Sequence, residues 1–321
     1  MFFSRRRIIA LAAGFVAAAA LFAPLPSKAQ SPSISVVTTT SMIADAARQV
    51  GGDLVAVRAL MGPGVDPHGY RQTRSDIVAL TRADLVLWHG LFLEAQMEDF
   101  LRDLGGNTAV VAVGEAVPKD SLLASEDYAD RFDPHVWMTP DLWAQVVAGV
   151  RDALIDVAPE AEATLRANAD AHLAEIAALG EYANRVLSTV PPESRVLVTA
   201  HDAFKYFGEA YAFEVMGIQG ISTESEAGLA RIGELVDTLV SRNIRAVFVE
   251  TSVSDRNIQA LIEGAAARGH TVTIGGELFS DAMGDDETYE GTYIGMIDHN
   301  VTTIARALGG EAHERGMNER L

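Results

Sequence analysis

Three histidines follow turn-forming or strand-like segments, and together they suggest a metal site. His68 and His135 each follow an Asp-Pro pair, in GVDPHGY and RFDPHVW, and His201 comes directly after the apolar run RVLVTA. A lone surface histidine is usually just solvated. A repeated Asp-Pro-His motif and a third histidine beside a strand-like run form a set instead, and imidazole is the commonest metal ligand in proteins.

Apolar runs alternate with amphipathic segments, which predicts an α/β fold with parallel sheets. The runs that have the length and β-branched content of strands are ISVVTTT, LVAVRALM, ADLVLW, TAVVAV, RVLVTA, FEVMGI, IRAVFVE and HTVTI. Ligands of such folds bind beyond the carboxyl ends of the strands. The same rhythm occurs before and after residues 139–190, so we expect two similar lobes with a site in the cleft between them.

A long helical segment separates the two series of strands. Residues 139–190 keep a helical period that is interrupted near Pro159, and the part after Pro159 is rich in the helix formers Ala, Leu and Glu. A flexible linker would instead be rich in Gly, Ser or Pro. We therefore expect an N-terminal lobe over residues 30–158, a rigid linking helix over residues 159–190 and a C-terminal lobe over residues 191–321.

The first 29 residues have the pattern of an export signal. Three arginines at positions 5–7 precede an apolar run over residues 8–23, and the small residues Ser27 and Ala29 suit a signal peptidase site. The run is shorter than the roughly 20 residues of a membrane-spanning helix. We expect cleavage before Gln30 and release into the periplasm by the Sec or the twin-arginine route.

The composition of the chain disfavours some classes of binding partner. The net charge is −19, which disfavours binding to nucleic acid or to an anionic lipid surface. The chain has no cysteine, so its stability must come from core packing, and the lipid of a bacterial lipoprotein has no acceptor. We therefore expect an unlipidated protein, and we also expect it to be a monomer.

Asp281 completes a set of four candidate metal ligands. It follows the last predicted strand, while His68 and His135 come from loops of the first lobe. Three imidazoles and one carboxylate suit a divalent first-row ion such as zinc, manganese or iron. Each lobe would contribute two ligands, so we expect the ion to bind between the lobes.

Other polar residues near these positions have different expected roles. His89 and Glu250 also follow predicted strands, and we expect them to orient a ligand or to pack beside it. Asp66 and Asp133 precede the Pro-His pairs and should shape turns. His172 falls in the linking helix, where we expect it to be exposed.

Several segments together resemble the cluster A-I metal receptors of ABC importers, the TroA/ZnuA type of solute-binding protein for manganese and zinc. They are GVDPHGYRQTRSDIVALTRADLVLWHGLFLE, DPHVWMTP, TAHDAFKYFGEAYAFEVMGIQGISTESEAG, VFVETSVSDRNI and GGELFSDAMG. The similarity extends over nearly all of the chain after the export signal. It implies two lobes joined by one long helix, delivery of a metal ion to an ABC permease in the inner membrane, and metal ligation by His68, His135, His201 and Asp281.

The resemblance leaves the identity of the metal open. Zinc-dedicated members carry a His-rich loop before the second ligand, but here the corresponding stretch GEAVPKDSLLASEDYADRFDPH has no histidine before His135. Many manganese-type members have glutamate at the third ligand position, where this chain has His201. Zinc and manganese are therefore both candidates, and iron(II) is a third.

Two other functions use the same residue types. A zinc-dependent metallohydrolase also binds its metal through histidine and aspartate. Four protein ligands, however, leave little room for the open coordination position of catalytic zinc, and the chain has no His-Glu-x-x-His motif. A receptor of the same fold for a metal chelate would need an aromatic or basic cleft. We therefore expect a metal receptor and not an enzyme.

Overall fold

In a computed structural model of the chain, the described residues are 33–106, 108–125, 128–225 and 227–321. The export signal predicted over residues 1–29 lies outside them. Residues Ser33–Leu321 cluster into one compact unit. Within the described ranges, the helices are all too short or too polar to span a membrane.

The first half of the chain forms a four-stranded parallel sheet with the strand order β2-β1-β3-β4. Val86 and Leu87 are neighbours in a central strand and point to opposite faces, and both are fully buried, so helices or loops cover both faces of the sheet. The strands are β1 (Ile34–Thr38), β2 (Val55–Ala59), β3 (Leu85–Trp88) and β4 (Ala109–Ala112). The helices between them are α1 (Ser41–Gly51), α2 (Arg74–Arg82) and α3 (Glu98–Leu104).

The third helix is shorter than the sequence predicts. The pattern LEAQMEDFLRDL is helical from residue 93, but α3 begins at Glu98. The buried carboxylate of Glu94 accepts hydrogen bonds from the backbone N–H groups of His89 (2.8 Å) and Gly90 (3.1 Å). These bonds hold the segment after β3 in a turn, so the helix starts only after it.

The second half of the chain contains two parallel strand pairs in its described residues. The pairs are β5 (Val196–Thr199) with β6 (Glu214–Gly217) and β7 (Ala246–Glu250) with β8 (Thr273–Leu278). β5 lies beside β7, but no hydrogen-bonded ladder joins them in this part of the structure. The helices are α6 (Lys205–Tyr211), α7 (Leu229–Ser241), α8 (Arg256–Ala266) and α9 (Tyr293–Ala307). The predicted strand HTVTI starts at residue 270, but β8 begins only at Thr273. The backbone N–H of His270 still bonds to the carbonyl of Ala265 at the end of α8, so the strand starts later.

Two long helices, α4 (Pro140–Val157) and α5 (Glu162–Leu187), connect the halves. The predicted break at Pro159 is confirmed, because residues Pro159–Ala161 form a separate 3-10 turn. α5 packs against α1, α4 and α9. The largest apolar core includes side chains from both halves, such as Val36 and Phe248. The lobe boundaries at residues 158 and 191 stay a prediction.

His172 is buried, so the expectation that it is exposed was wrong. Only 3% of its surface is accessible. His172 belongs to the buried stripe of α5, because a position seven residues after Leu165 faces the same side of a helix. The buried residues of this stripe are Leu165, Ala169, His172 and Ile176.

Candidate metal centre

The four side chains predicted as ligands meet at one buried point. His68, His135, His201 and Asp281 each offer one ligand atom, and these atoms all lie within 4.8 Å of one another. Each of the four residues is at most 3% exposed. Two of the side chains come from the first half of the chain and two from the second.

Each histidine turns its Nε2 atom toward the carboxylate of Asp281. Asp281 Oδ2 lies 3.1 Å from Nε2 of His201 and 3.7 Å from Nε2 of His68, and Asp281 Oδ1 lies 3.4 Å from Nε2 of His135. The three nitrogens and both oxygens are buried and have no hydrogen-bond partner among the described residues. Buried polar atoms are rarely left unpaired, and a cation between them would satisfy all five.

The Asp-Pro-His motifs form turns that present the first two histidines. Asp66 Oδ1 accepts a hydrogen bond from the backbone N–H of His68 (2.8 Å), and Asp133 Oδ1 accepts one from His135 (2.9 Å). A bond from an aspartate oxygen to the backbone two residues later is an Asx turn. Both aspartates therefore shape turns, as the sequence predicts.

Asp133 also orients the ring of His135, a role that the sequence interpretation missed. Its Oδ1 atom lies 2.7 Å from Nδ1 of His135, so Nδ1–H donates to the carboxylate and Nε2 is left to face Asp281. The signal in the sequence was an acidic side chain two residues before the histidine. Asp66 lacks this second bond among the described contacts, and its other oxygen accepts from the hydroxyl of Thr223.

Glu250 orients the third histidine from a neighbouring strand. β5 and β7 pack side by side, and His201, two residues after the end of β5, lies within hydrogen-bond distance of Glu250, the last residue of β7. Glu250 Oε1 accepts from the backbone N–H of His201 (2.9 Å), and Oε2 lies 2.5 Å from Nδ1 of the same residue. Nδ1 is therefore occupied, and Nε2 points into the cluster.

His89 lies behind the cluster and not in it. Its Nε2–H donates to the carbonyl of Pro134 (2.7 Å), directly before His135, and its ring packs edge-on against Trp137. Burial lowers the pKa of His89 to about 4, so the ring is neutral at physiological pH. His89 supports the loop that carries His135.

The cluster's charges determine which histidines carry a proton before metal binds. Burial lowers the pKa of His68 to about 3, so this ring is neutral. Burial acts in the same direction on His135, but Asp133 and Asp281 outweigh it and raise the pKa to about 9. The pKa of His201 is well above its usual value, because Asp281 and Glu250 likewise outweigh burial. The imidazoles in turn hold the pKa of Asp281 well below its usual range, although burial opposes this.

Metal affinity is expected to fall as the pH drops below about 9, well above the value of about 6.5 for an unperturbed histidine. A group with a raised pKa is protonated below that pKa, and His135 and His201 must lose their protons to bind a metal. For each of these two rings that is protonated, the metal affinity should fall about tenfold for every unit by which the pH drops. Competition titrations from about pH 9 to about pH 6 measure this slope, and calorimetry in two buffers should show about two protons released per ion near pH 7. An affinity that does not change over this range would contradict the assignment.

Comparisons with known proteins agree on one family. Residues 36–307 match the model of the ZnuA family, the periplasmic component A of the zinc-uptake complex. The chain is 47% identical over 281 residues to the manganese-binding lipoprotein MntA of Bacillus subtilis, which covers 88% of this chain and 92% of that protein. It is 46% identical over 273 residues to the zinc-binding protein TroA of Treponema pallidum, with 85% and 88% covered.

Solved structures with the same fold support this result. The periplasmic zinc binding protein TroA from Treponema pallidum matches with a TM-score of 0.84 at 45% identity, over 86% of this chain and 99% of that chain. Fe(III)-bound YtgA from Chlamydia trachomatis matches with a TM-score of 0.77 at 27% identity, over 87% and 99%. The predicted fold class is confirmed. Several relatives, MntA of Bacillus subtilis among them, are named lipoproteins, and these names speak against the expectation of an unlipidated chain, although this chain has no cysteine.

Proposed function

The chain belongs to the ZnuA/TroA family of metal-binding proteins, as the sequence resemblance predicts, and on this premise we propose that it captures a zinc or manganese ion in the periplasm and delivers it to an ABC permease. Members of this family bind solutes for ABC transporters and are not enzymes. The observation that carries the proposal is the meeting of four buried ligand atoms from two halves of the chain. The export signal predicted over residues 1–29 supports the periplasmic location.

We propose that His68, His135 and His201 bind the ion through Nε2 and that Asp281 binds it through one or both oxygens. The carboxylates beside His135 and His201 occupy the Nδ1 atoms and leave Nε2 free for metal. Three imidazoles favour zinc on the general affinity order of divalent ions, whereas two available carboxylate oxygens suit manganese. The relatives named for manganese and for zinc support the same two candidates. Iron is the third candidate, and YtgA is a structural relative that was solved with bound iron.

A bare ion fits this site better than a metal chelate. The ligand atoms lie within 4.8 Å of one another, which leaves room for a single ion and not for an organic ligand. The same arrangement supports lobes over residues 30–158 and 191–321, because two ligands precede α5 and two follow it. We further propose that the protein acts as a monomer, with the ion held between the lobes.

Metal binding is expected to stabilise the fold strongly. An ion bound only by the native state, at 1,000 times its Kd, adds about 4 kcal/mol to the free energy of unfolding, which corresponds to a rise in Tm of roughly 10 °C for a domain of this size. The measurement is a melting curve of chelator-treated protein with and without micromolar zinc or manganese salt. Magnesium salt is the control, because Mg²⁺ prefers oxygen ligands and keeps its waters. If neither zinc nor manganese raises the Tm, the proposed function is wrong.

A further inference from the structure

We infer that Trp137 fixes the position of Asp281 across the metal site and thereby contributes to the choice between manganese and zinc. This inference rests on the proposed function, because it concerns the same four ligands. Trp137 is fully buried and lies two residues after His135, in the short 3-10 turn Val136–Met138. Its side chain contacts ligand-bearing segments from both halves of the chain.

One indole group joins the two segments. The Nε1–H of Trp137 donates to the carbonyl oxygen of Ser280 (2.7 Å), and Ser280 directly precedes Asp281. The indole ring also packs against the ring of His135, with 5.1 Å between the centroids. A shift of Trp137 would therefore move the backbone of Asp281 relative to His135.

The indole is itself held from several sides. The hydroxyl of Tyr293, at the start of α9, donates to the carbonyl of Trp137 (3.0 Å). The ring of His89 packs edge-on against the indole, with 5.0 Å between the centroids. On the far side, Ser280 Oγ lies 2.9 Å from Ser252 Oγ, which ties residue 280 to the loop after β7. Trp137 thus acts as a fixed spacer between the halves and not as a loose filler of the core.

The orientation of Asp281 matters more for manganese than for zinc. Its Oδ1 atom faces His135 at 3.4 Å and its Oδ2 atom faces His201 at 3.1 Å, so both oxygens border the place where an ion would lie. Zinc is satisfied by four tetrahedral ligands and needs only one carboxylate oxygen. Manganese prefers more oxygen ligands and therefore depends on both. Loss of the Trp137 hydrogen bond would let the Asp281 segment turn and remove one oxygen from the ion.

Trp137→Phe tests this inference, with Trp143→Phe as its matched control. Both residues are fully buried tryptophans, but the Nε1 atom of Trp143 has no hydrogen-bond partner among the described residues, and its ring stacks on Tyr293. The Kd values for manganese and zinc are measured by competition with a metal-binding dye. We expect Trp137→Phe to weaken manganese binding about tenfold, the loss of about one buried hydrogen bond, and to weaken zinc binding much less. Trp143→Phe should leave the ratio of the two Kd values unchanged.

The outcomes separate the two proposals. Equal weakening of both ions, or no weakening, in a folded Trp137→Phe protein overturns the role of Trp137. A wild-type protein that binds neither ion overturns the proposed function and this inference with it. A merely structural role would lower the Tm of the variant without changing the ratio of the two Kd values.

A second measurement on the wild-type sequence applies even where Trp137→Phe does not fold. The chain contains three tryptophans, Trp88, Trp137 and Trp143, which can be labelled with 5-fluorotryptophan. Trp88→Phe and Trp143→Phe assign the signals by elimination. We expect zinc to shift the fluorine resonance of Trp137 and to leave that of Trp143 in place. A Trp137 signal that does not respond to metal contradicts the inference.

Discussion

Asp281→Asn is expected to weaken zinc and manganese binding about a thousandfold, which corresponds to about 4 kcal/mol. Asp281 supplies the only carboxylate among the four proposed ligands, and its oxygens lie between 3.1 and 3.7 Å from three imidazole nitrogens. Asparagine keeps the shape of the side chain but removes the negative charge opposite a buried divalent ion. Removing one partner of a buried charge pair costs several kcal/mol, because the other charge loses its compensation.

The control for this variant is Asp285→Asn. Asp285 lies in the same segment, four residues further on, but is exposed and does not belong to the cluster. Affinities are measured by dye competition, and circular dichroism checks that both variants fold. A folded Asp281→Asn protein with the affinity of the wild type would show that Asp281 is not a ligand.

A change of metal selectivity is expected from His201→Glu. An oxygen ligand in place of an imidazole favours manganese over zinc in relative terms, so the ratio of zinc to manganese affinity should drop at least about tenfold, or about 1.4 kcal/mol. The effect of this substitution also depends on Glu250, because its Oε2 atom lies 2.5 Å from Nδ1 of His201. A glutamate at position 201 would face this buried carboxylate, and like charges would repel each other.

We therefore expect the selectivity change most clearly in His201→Glu combined with Glu250→Gln. Glu250→Gln alone is the reference for the double variant, and His313→Glu is the control for the added carboxylate. His313 is exposed in the C-terminal tail, whereas the buried His172 would test folding rather than selectivity. If the folded double variant keeps the affinity ratio of the reference, position 201 does not contact the ion and the ligand set must change.

The ligand positions could be predicted because they depend on regular features of the chain. Ligand-binding residues of parallel α/β folds follow the carboxyl ends of strands, and His201 after β5 and Glu250 at the end of β7 do come together. An aspartate two residues before a histidine forms a turn from local hydrogen bonds alone. The contact between His201 and Glu250 depends on where two strands end, and the Asp-Pro-His turns depend on residues that are close in sequence. The sequence pattern indicates both.

Long-range contacts could not be predicted in the same way. The hydrogen bond between Trp137 and Ser280 joins residues 143 positions apart, and nothing local in either segment indicates it. The burial of His172 follows from the packing of α5 against α1, α4 and α9, although its helical stripe with Leu165 and Ile176 was visible in the sequence. The separation of the second half into two strand pairs depends on packing that short apolar runs do not encode.

Binding of one divalent ion by three imidazoles and one carboxylate can be tested most directly by X-ray absorption spectroscopy at the zinc edge. The sample is chelator-treated protein loaded with one equivalent of zinc, with the stoichiometry checked by elemental analysis. We predict one zinc per chain and a shell of nitrogen and oxygen ligands at about 2.0–2.2 Å that includes three imidazoles. A shell of oxygen ligands without imidazole scattering, or a protein that retains no zinc, would contradict the assignment of His68, His135, His201 and Asp281.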